Sequence, residues 1–298
     1  MKGYFFMNEI KLAVIGGDIR MIYCAKKLAE YGFEVSFCGF DSAGRDCGDA
    51  VRCRTVKDVV KGAAVVILPV PYSYDGCRIN APFSSSEIRV DEVLEDVNPT
   101  QLILAGVCPP GFIEKAEAAY LSVIDYMKDE ELTVKNAIPT AEGALELAMK
   151  ELDVTVHGTK TLVLGYGRAG KAAAAAFSAL HSSVTVCARR ADALAWAAAA
   201  GYGTADIKDI CRAVQDKDII INTVPALTVD NNVLSFSGKD TLIIDLASVP
   251  GGVDFEAASH RGLKAIHALS LPGKVAPKTA GENIADAVIS AMRKKGVI

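Results

Sequence analysis

Apolar runs recur along the chain, and several of them end at a glycine or a proline. Two such runs, 11–16 and 33–40, flank a segment with helical spacing at 18–32. Two more runs, at 63–70 and 101–107, are stopped by prolines. Strands that alternate with helices in this way predict βαβ units and a parallel sheet.

A second series of the same kind follows. The predicted strands of this series are 161–165, 183–188, 218–225, 240–248 and 263–269. Within the segment 135–152, Pro139 and Thr140 are predicted to start a helix. The last helix is predicted over 280–296. We predict an α/β protein with two doubly wound parallel-sheet lobes, the second a Rossmann dinucleotide-binding domain, and a C-terminal helix that returns to the first lobe.

The length agrees with two domains. The chain has 298 residues, and a domain typically takes roughly 100–200. We assign residues 1–138 plus 276–298 to an N-terminal Rossmann-like domain for substrate and assembly. Residues 139–275 are assigned to an NADP-binding Rossmann domain.

A glycine motif follows the strand at 161–165. Gly165, Gly167 and Gly170 give G-x-G-x-x-G, and Arg168 and Ala169 open the next helix between them. In a dinucleotide site the first glycine makes the turn, the second admits the pyrophosphate and the third packs helix on strand. We predict a dinucleotide site; a bare structural turn is the alternative.

The end of the next strand selects the cofactor. An NAD enzyme places Asp or Glu there, but this chain continues with Arg189 and Arg190. A guanidinium suits the 2′-phosphate of NADP(H), which we predict as the cofactor. The alternative is that both arginines are solvated. Further cofactor contacts are predicted at the carboxyl ends of later strands: Asn222, Thr223, Val224, Pro225, Asp245 and Ser248.

The first lobe has a related turn, VIGGDIR, at 14–20. It lacks the third glycine, and Asp18 would place a negative charge near any pyrophosphate. We predict a turn that presents Asp18 and Arg20 to a cleft, rather than a second cofactor site. The alternative is that Asp18 caps the following helix.

Composition excludes several classes. The net charge is −4 and no long basic run is present, so no nucleic-acid partner is expected. Eight cysteines form no CxxC pair and four histidines no HxxxH pattern, so no metal is expected. The start MKGYFFMNEI is too short for a signal h-region, and no run approaches about 18 apolar residues. We expect a soluble cytoplasmic protein without a membrane segment.

Apolar residues make up 51% of the chain, and the mean hydropathy is +0.25. A buried interface in a homo-oligomer would use such material. The high alanine content explains the same numbers without an interface.

The stretch DLASVPGGVDFEAA, at 245–258, is distantly similar to 2-hydroxyacid dehydrogenases. Pro250 stands where those enzymes have a substrate-binding arginine, and His267 lacks their Gly-Gly follower. We therefore interpret His267 as a packed residue rather than a base, and do not transfer that chemistry.

A closer resemblance covers nearly the whole chain. The strings AVIGGDIR, ILPV, AIPTAEGALELAM, VLGYGRAGKAAA, INTVP, DLASVPGGVDF and LPGKVAPKTAG occur in this order. The series resembles the family of dipicolinate synthase A chains, a sporulation family of endospore formers. One departure is Val249, where the family often has a basic residue.

The resemblance implies an activity and a partner. The A chain would work with a smaller, flavoprotein-like second chain of the synthase, in the mother cell. Together they would oxidise dihydrodipicolinate to pyridine-2,6-dicarboxylate with NADP as acceptor. Loss of a hydride and a proton is driven by aromatisation. Two alternatives stay open: another NADP dehydrogenase of the hydroxyacid, shikimate or alanine type, and a non-catalytic NADP-binding regulatory or scaffold protein.

A dianionic substrate needs cations and hydroxyls. We place Arg20, Ser73, Lys278 and Thr279 at the substrate, and Arg20, Lys278, Asp18 and Ser248 are the candidate catalytic residues. We expect Arg20 and Lys278 to come from opposite lobes and each to bind one carboxylate.

Overall fold

The first half folds into a six-stranded parallel sheet. The computed structural model describes residues 10–44 and 48–298. Residues 1–9, on which the expectation of no signal segment rested, lie outside the described residues. The strands are β1 (Lys11–Ile15), β2 (Glu34–Cys38), β3 (Val51–Arg52), β4 (Val65–Ile67), β5 (Leu102–Ala105) and β6 (Ser122–Asp125). Their order is β3-β2-β1-β4-β5-β6.

Helices cover both faces of this sheet. They are α1 (Ile19–Glu30), α2 (Val56–Val60), α3 (Val90–Asp96) and α4 (Pro110–Ala118). Leu12 and Val14 point into one core layer, while Ala13 and Ile15 point into the other, because neighbouring side chains leave opposite faces of a strand. A strand buried on both faces has no polar alternation, and this explains the continuous apolar run.

Helix α5 (Glu130–Glu151) is longer than predicted. The prediction that it begins at Pro139 is wrong, because Pro139 lies inside the helix. Proline has no N–H to donate to the carbonyl four residues earlier. The Thr140 hydroxyl donates to the neighbouring Asn136 carbonyl at 2.7 Å, which provides one hydrogen bond within the interrupted turn.

The second half repeats the architecture. Its strands are β7 (Lys160–Leu164), β8 (Ser183–Ala188), β9 (Gly203–Asp206), β10 (Ile219–Asn222), β11 (Leu242–Asp245) and β12 (Lys264–His267), in the order β12-β11-β10-β7-β8-β9. Its helices are α6 (Arg168–Ala179), α7 (Ala191–Ala199), α8 (Ile210–Ala213), α9 (Asn231–Leu234), α10 (Phe255–His260) and α11 (Leu271–Val275). All pairings are parallel, and the predicted fold class is confirmed.

The C-terminal helix α12 (Pro277–Lys294) returns to the first half. Its buried residues Ile284, Val288 and Met292 share a core with Leu28 of α1. Contacts divide the chain into a first unit, residues up to Lys135 with Ala276–Ile298, and a second unit, Asn136–Val275. The predicted return of the last helix is confirmed.

Candidate functional site: a glycine turn and a cationic strand end

The turn after β7 gives each motif glycine a different environment. A Cβ on Gly170 would lie 2.3 Å from the Gly165 carbonyl oxygen, and one on Gly165 would lie 2.6 Å from Thr223 Oγ1. Gly165 also has a φ of +87°. A Cβ on Gly167 would meet no atom of the described residues within 4 Å. The fold itself therefore requires the first and third glycines, whereas the second faces open space.

Helix α6 begins at this open space. Gly167 is its N-cap and, being a glycine, supplies no side-chain hydrogen bond to the first turn. Unpaired N–H groups and the positive end of the helix dipole make such a terminus suited to phosphate. Arg168 is exposed and Ala169 partly exposed in this first turn. The residues present thus fit the pyrophosphate of a dinucleotide.

The end of β8 is cationic. Arg189 and Arg190 are both exposed, and the Arg190 Nε donates to Asp192 Oδ1 at 2.9 Å. Hydrogen bonding by Arg190 lowers the pKa of the Asp192 carboxyl. Within the described part of the chain, Arg189 has no ion-pair partner. Arg189 is therefore the cation available at this strand end, and Arg190 is already paired.

Asn222 and Asp245 end neighbouring strands, but neither reaches the surface. Both are fully buried, and the Asn222 amide donates to Asp245 Oδ1 at 2.7 Å. Asp245 also accepts backbone N–H bonds from Ala247 and Gly252. In the structure their polar atoms tie the strand ends and the following loop together, and their predicted contacts with the cofactor stay a prediction.

The residues after Asn222 lead outward. Thr223 Oγ1 donates to the Leu164 carbonyl at 2.8 Å and so holds the end of β10 against the glycine turn. Val224 is half-buried and Pro225 is exposed. Ser248 is exposed in the loop after β11, where Val249 is 73% exposed. The surface of the carboxyl edge thus includes Val224, Pro225 and Ser248. Thr223 is partly exposed and supports the glycine turn through its hydrogen bond.

Asp18 and Arg20 neutralise each other in the first unit. Asp18 is the N-cap of α1 and accepts from the Arg20 backbone N–H at 3.0 Å. The Arg20 guanidinium donates to Asp18 at 2.7 Å and to the Val70 carbonyl at 2.6 Å, and the residue is 7% exposed. Burial opposes its charge, but hydrogen bonding to Asp18 leaves the pKa of Arg20 raised. The capping alternative for Asp18 is observed, and the predicted roles of Asp18 and Arg20 at the substrate stay predictions.

The glycine turn of the first unit is covered by the chain itself. A Cβ on Gly16 would lie 2.9 Å from Ala81 Cβ and 3.0 Å from Ile79 Cγ2. The segment at 79–81 therefore occupies the space in which a dinucleotide phosphate would lie. This observation agrees with the prediction that VIGGDIR is not a second cofactor site.

The remaining predicted substrate residues differ in availability. The Ser73 hydroxyl donates to Asp75 Oδ1 at 3.1 Å and accepts from the Gly76 N–H, so it shapes a local turn. Lys278 and Thr279 are exposed in the first turn of α12. Lys278 lies in the same first unit as Arg20, so the expectation that these two residues come from opposite lobes is wrong.

The first turns of α1 and α12 are neighbours. A Cβ on Gly281 would lie 2.3 Å from the Arg20 carbonyl oxygen and 2.7 Å from Tyr23 Cβ. Only a glycine permits this approach, and Lys278 precedes it by one turn. Gly281 thus places the start of α12 against the start of α1, the helix that Asp18 caps.

Sequence reasoning missed two features of these sites. The D-x-R spacing of Asp18 and Arg20 is compatible with a local ion pair, so the sequence contained an indication of this pairing. The covering of Gly16 by Ala81 had none, because 65 positions separate them and no local pattern marks the contact. In the described ranges no group of three metal-ligating side chains occurs, and no helix is long and apolar enough to cross a membrane.

Two family models match the chain. The model for the N-terminal domain of the dipicolinate synthase A chain matches residues 11–127. The model described as "NADP oxidoreductase coenzyme F420-dependent" matches residues 160–248, which include the glycine turn and Arg189. The second unit therefore contains a segment similar to NADP-type oxidoreductase domains.

Known proteins match over nearly the full length. The dipicolinate synthase A chain of Bacillus subtilis (strain 168) is 35% identical over 281 residues, which are 94% of this chain and 95% of that protein. The crystal structure of the dipicolinate synthase A chain from Bacillus halodurans has a TM-score of 0.88 at 33% identity, covering 96% of this chain and 98% of that one. That of the Bacillus subtilis A chain has a TM-score of 0.86 at 34% identity, covering 96% of each. The protein belongs to the family of dipicolinate synthase A chains.

Proposed function

We propose that the protein is the A chain of a two-chain dipicolinate synthase that oxidises dihydrodipicolinate to dipicolinate with NADP. The observation that carries the proposal is the second unit's glycine turn. It combines, within the described residues, open space at Gly167, an α6 whose N-cap glycine offers no side-chain hydrogen bond, and an Arg189 without an ion-pair partner. A family whose members are called dipicolinate synthase supplies the reaction.

Different groups of the chain bind different parts of the cofactor. The first-turn N–H groups of α6 bind the pyrophosphate, and Gly167 lets them approach it. Arg189 binds the 2′-phosphate through a charge-assisted contact, with Arg190 available only when it leaves Asp192. When bound, the cofactor would supply the hydride acceptor for oxidation of the substrate ring. Thr223 keeps the turn in place through the Leu164 carbonyl.

The substrate is a dianion, which calls for a cation that no carboxylate has neutralised. Among the predicted residues that the structure describes, Lys278 meets this requirement, and Thr279 adds a hydroxyl beside it. The adjacent N-termini of α12 and α1 favour an anion as well. The buried Asp18–Arg20 pair orients this region without contributing net charge. Ser248 is the hydroxyl proposed at the carboxyl edge of the second unit.

The partner and the setting follow from the family. An A chain implies a second chain in the same synthase, which we propose to be flavoprotein-like and which we call the flavoprotein-like partner. We further propose that the A chain forms a homo-oligomer and acts in the cytoplasm of the mother cell during sporulation. The proposed domain roles are substrate and assembly for the first unit and NADP binding for the second.

Reconstitution tests the proposal. Purified A chain and the flavoprotein-like partner are incubated, together and separately, with dihydrodipicolinate and NADP, and NADPH formation is followed by absorbance. We expect NADPH to form only when both chains are present. Turnover by the A chain alone would contradict the two-chain assignment. NADPH binding without any turnover by the pair would favour the regulatory alternative.

A further inference from the structure

The loop after β11, residues 247–252, is tied to a buried carboxylate at both ends. Asp245 Oδ1 accepts the Ala247 N–H at 3.0 Å, and Asp245 Oδ2 accepts the Gly252 N–H at 2.8 Å. Between these points the Gly251 N–H donates to the Ser248 carbonyl. The tip of the loop is exposed, while its ends are buried. We call these six residues the β11 loop.

His267 makes a third attachment. It is the last residue of β12 and lies opposite Asp245 in the parallel register. Its Nε2 is 3.0 Å from the Ala247 carbonyl oxygen. A carbonyl can only accept, so Nε2 carries the hydrogen and donates it. The ring also stacks on Phe255, with centroids 5.3 Å apart and an interplanar angle of 26°.

Gly251 fits between the two side chains. Its φ is +88°, and a Cβ there would lie 2.7 Å from Asp245 Oδ2 and 3.3 Å from His267 Nε2. No side chain can therefore be added without displacing the carboxylate or the ring. The β11 loop is seated directly on this pair of groups.

We propose that His267 is a positioning residue that fixes the β11 loop through the Ala247 carbonyl. Asp245 fixes the same loop through its N–H groups, so the two side chains hold a backbone donor and a backbone acceptor of Ala247 at once. The loop then presents Ser248 at the carboxyl edge of the sheet, where ligands of such folds bind. This consequence for catalysis rests on the proposed function; the anchoring itself does not.

Hydrogen exchange of the full-length, ligand-free chain tests the anchoring. His267→Phe keeps the stacking on Phe255 but loses the donor, whereas His267→Gln keeps an N–H donor. We expect His267→Phe to speed exchange in the β11 loop by about tenfold or more and His267→Gln to stay within about threefold of wild type. His260→Phe, at an exposed histidine that ends α10, is the matched control and should leave the loop unchanged.

Kinetics with the flavoprotein-like partner test the consequence. His267→Phe should lower kcat by about tenfold with NADPH affinity within about twofold of wild type, and His267→Gln should restore kcat. Unchanged loop exchange in a folded His267→Phe protein would overturn the proposal. A His267→Gln protein with normal exchange but the kcat of His267→Phe would also overturn it, and would assign the other ring nitrogen to proton transfer.

A second variant covers the case in which His267→Phe does not fold. Gly251→Ala directs a methyl group at Asp245 and His267, and it should speed exchange of the same loop. Slow, wild-type exchange in Gly251→Ala would contradict the seating of the loop. The exchange results stand even if wild-type protein turns over no dihydrodipicolinate, so failure of the proposed function and failure of this inference give different outcomes.

Discussion

Gly167→Val separates the space needed by the cofactor from the space needed by the fold. A Cβ at this position meets no atom within 4 Å in the part of the chain that the structure describes, and the Gly167 backbone has a φ of −80°, which any residue adopts. The change does place a branched residue at the N-cap of α6, where valine is less favourable than glycine. We therefore expect the unfolding free energy to fall by about 1 kcal/mol or less. The added methyl groups would occupy the approach of the pyrophosphate to the helix terminus.

The size of the effect can be worked out for a thermal-shift assay. NADPH at 100 times its Kd stabilises the wild-type protein by about 2.7 kcal/mol, roughly 5–10 °C in apparent Tm. A hundredfold loss of affinity leaves about 0.4 kcal/mol, or about 1 °C, at the same concentration. The prediction is that Gly167→Val folds normally and loses nearly all of the NADPH-induced shift.

Gly111→Val is the matched control. Gly111 lies at the start of another helix, in the first turn of α4, and a Cβ there likewise meets no described atom within 4 Å. This variant should keep the full NADPH-induced shift. Full retention of the shift in Gly167→Val would refute the cofactor position, and equal losses in both variants would mean that the shift does not report on the glycine turn.

Three further changes test separate parts of the account. Arg189→Ala should weaken NADPH binding by roughly 10- to 150-fold, or about 1.5–3 kcal/mol, and should change NADH binding little. Equal losses of affinity for both cofactors in titration calorimetry would contradict the contact between Arg189 and the 2′-phosphate. Lys278→Ala should lower turnover with the flavoprotein-like partner by about tenfold or more at unchanged NADPH affinity. Lys61→Ala, a change at an exposed lysine, should not lower turnover. Equal turnover rates in the two variants would show that Lys278 is an ordinary surface charge. Hydrogen bonding by Lys294 lowers the pKa of Asp129 in the folded state, so this pair stabilises the first unit above about pH 4 and the contribution is lost as pH falls through the lowered pKa. Asp129→Asn should therefore cost about 1 kcal/mol near neutral pH and little in acid, as measured by urea unfolding at both pH values.

The central strands were predictable because parallel strands buried on both faces are continuous apolar runs. Three of the four edge strands, β3, β6 and β9, gave no such signal, whereas the edge strand β12 was predicted at 263–269. β3 is exposed at Val51 and Arg52, and β9, with the sequence GTAD, has no large apolar residue. β6 is only half-buried. Edge strands bury less surface, so their sequences carry less of the pattern on which the prediction depends.

The site was predictable where one local motif defines it, as at the glycine turn. It was not predictable where distant groups decide whether a charge is available. Arg20 is held by the Val70 carbonyl, 50 residues away, and Asp245 by Asn222, 23 residues away. A polar residue at a strand end therefore identifies the functional edge of the sheet, but the tertiary partners decide whether it contacts a ligand or supports the backbone.

Calorimetric titration of NADPH and NADH into the wild-type chain tests the central claim most directly. The second unit's turn is open at Gly167, while the first unit's turn is covered at Gly16 by Ala81. The account predicts one NADPH per chain, bound about tenfold or more tightly than NADH. Two equivalents per chain, or equal affinities for NADPH and NADH, would contradict it.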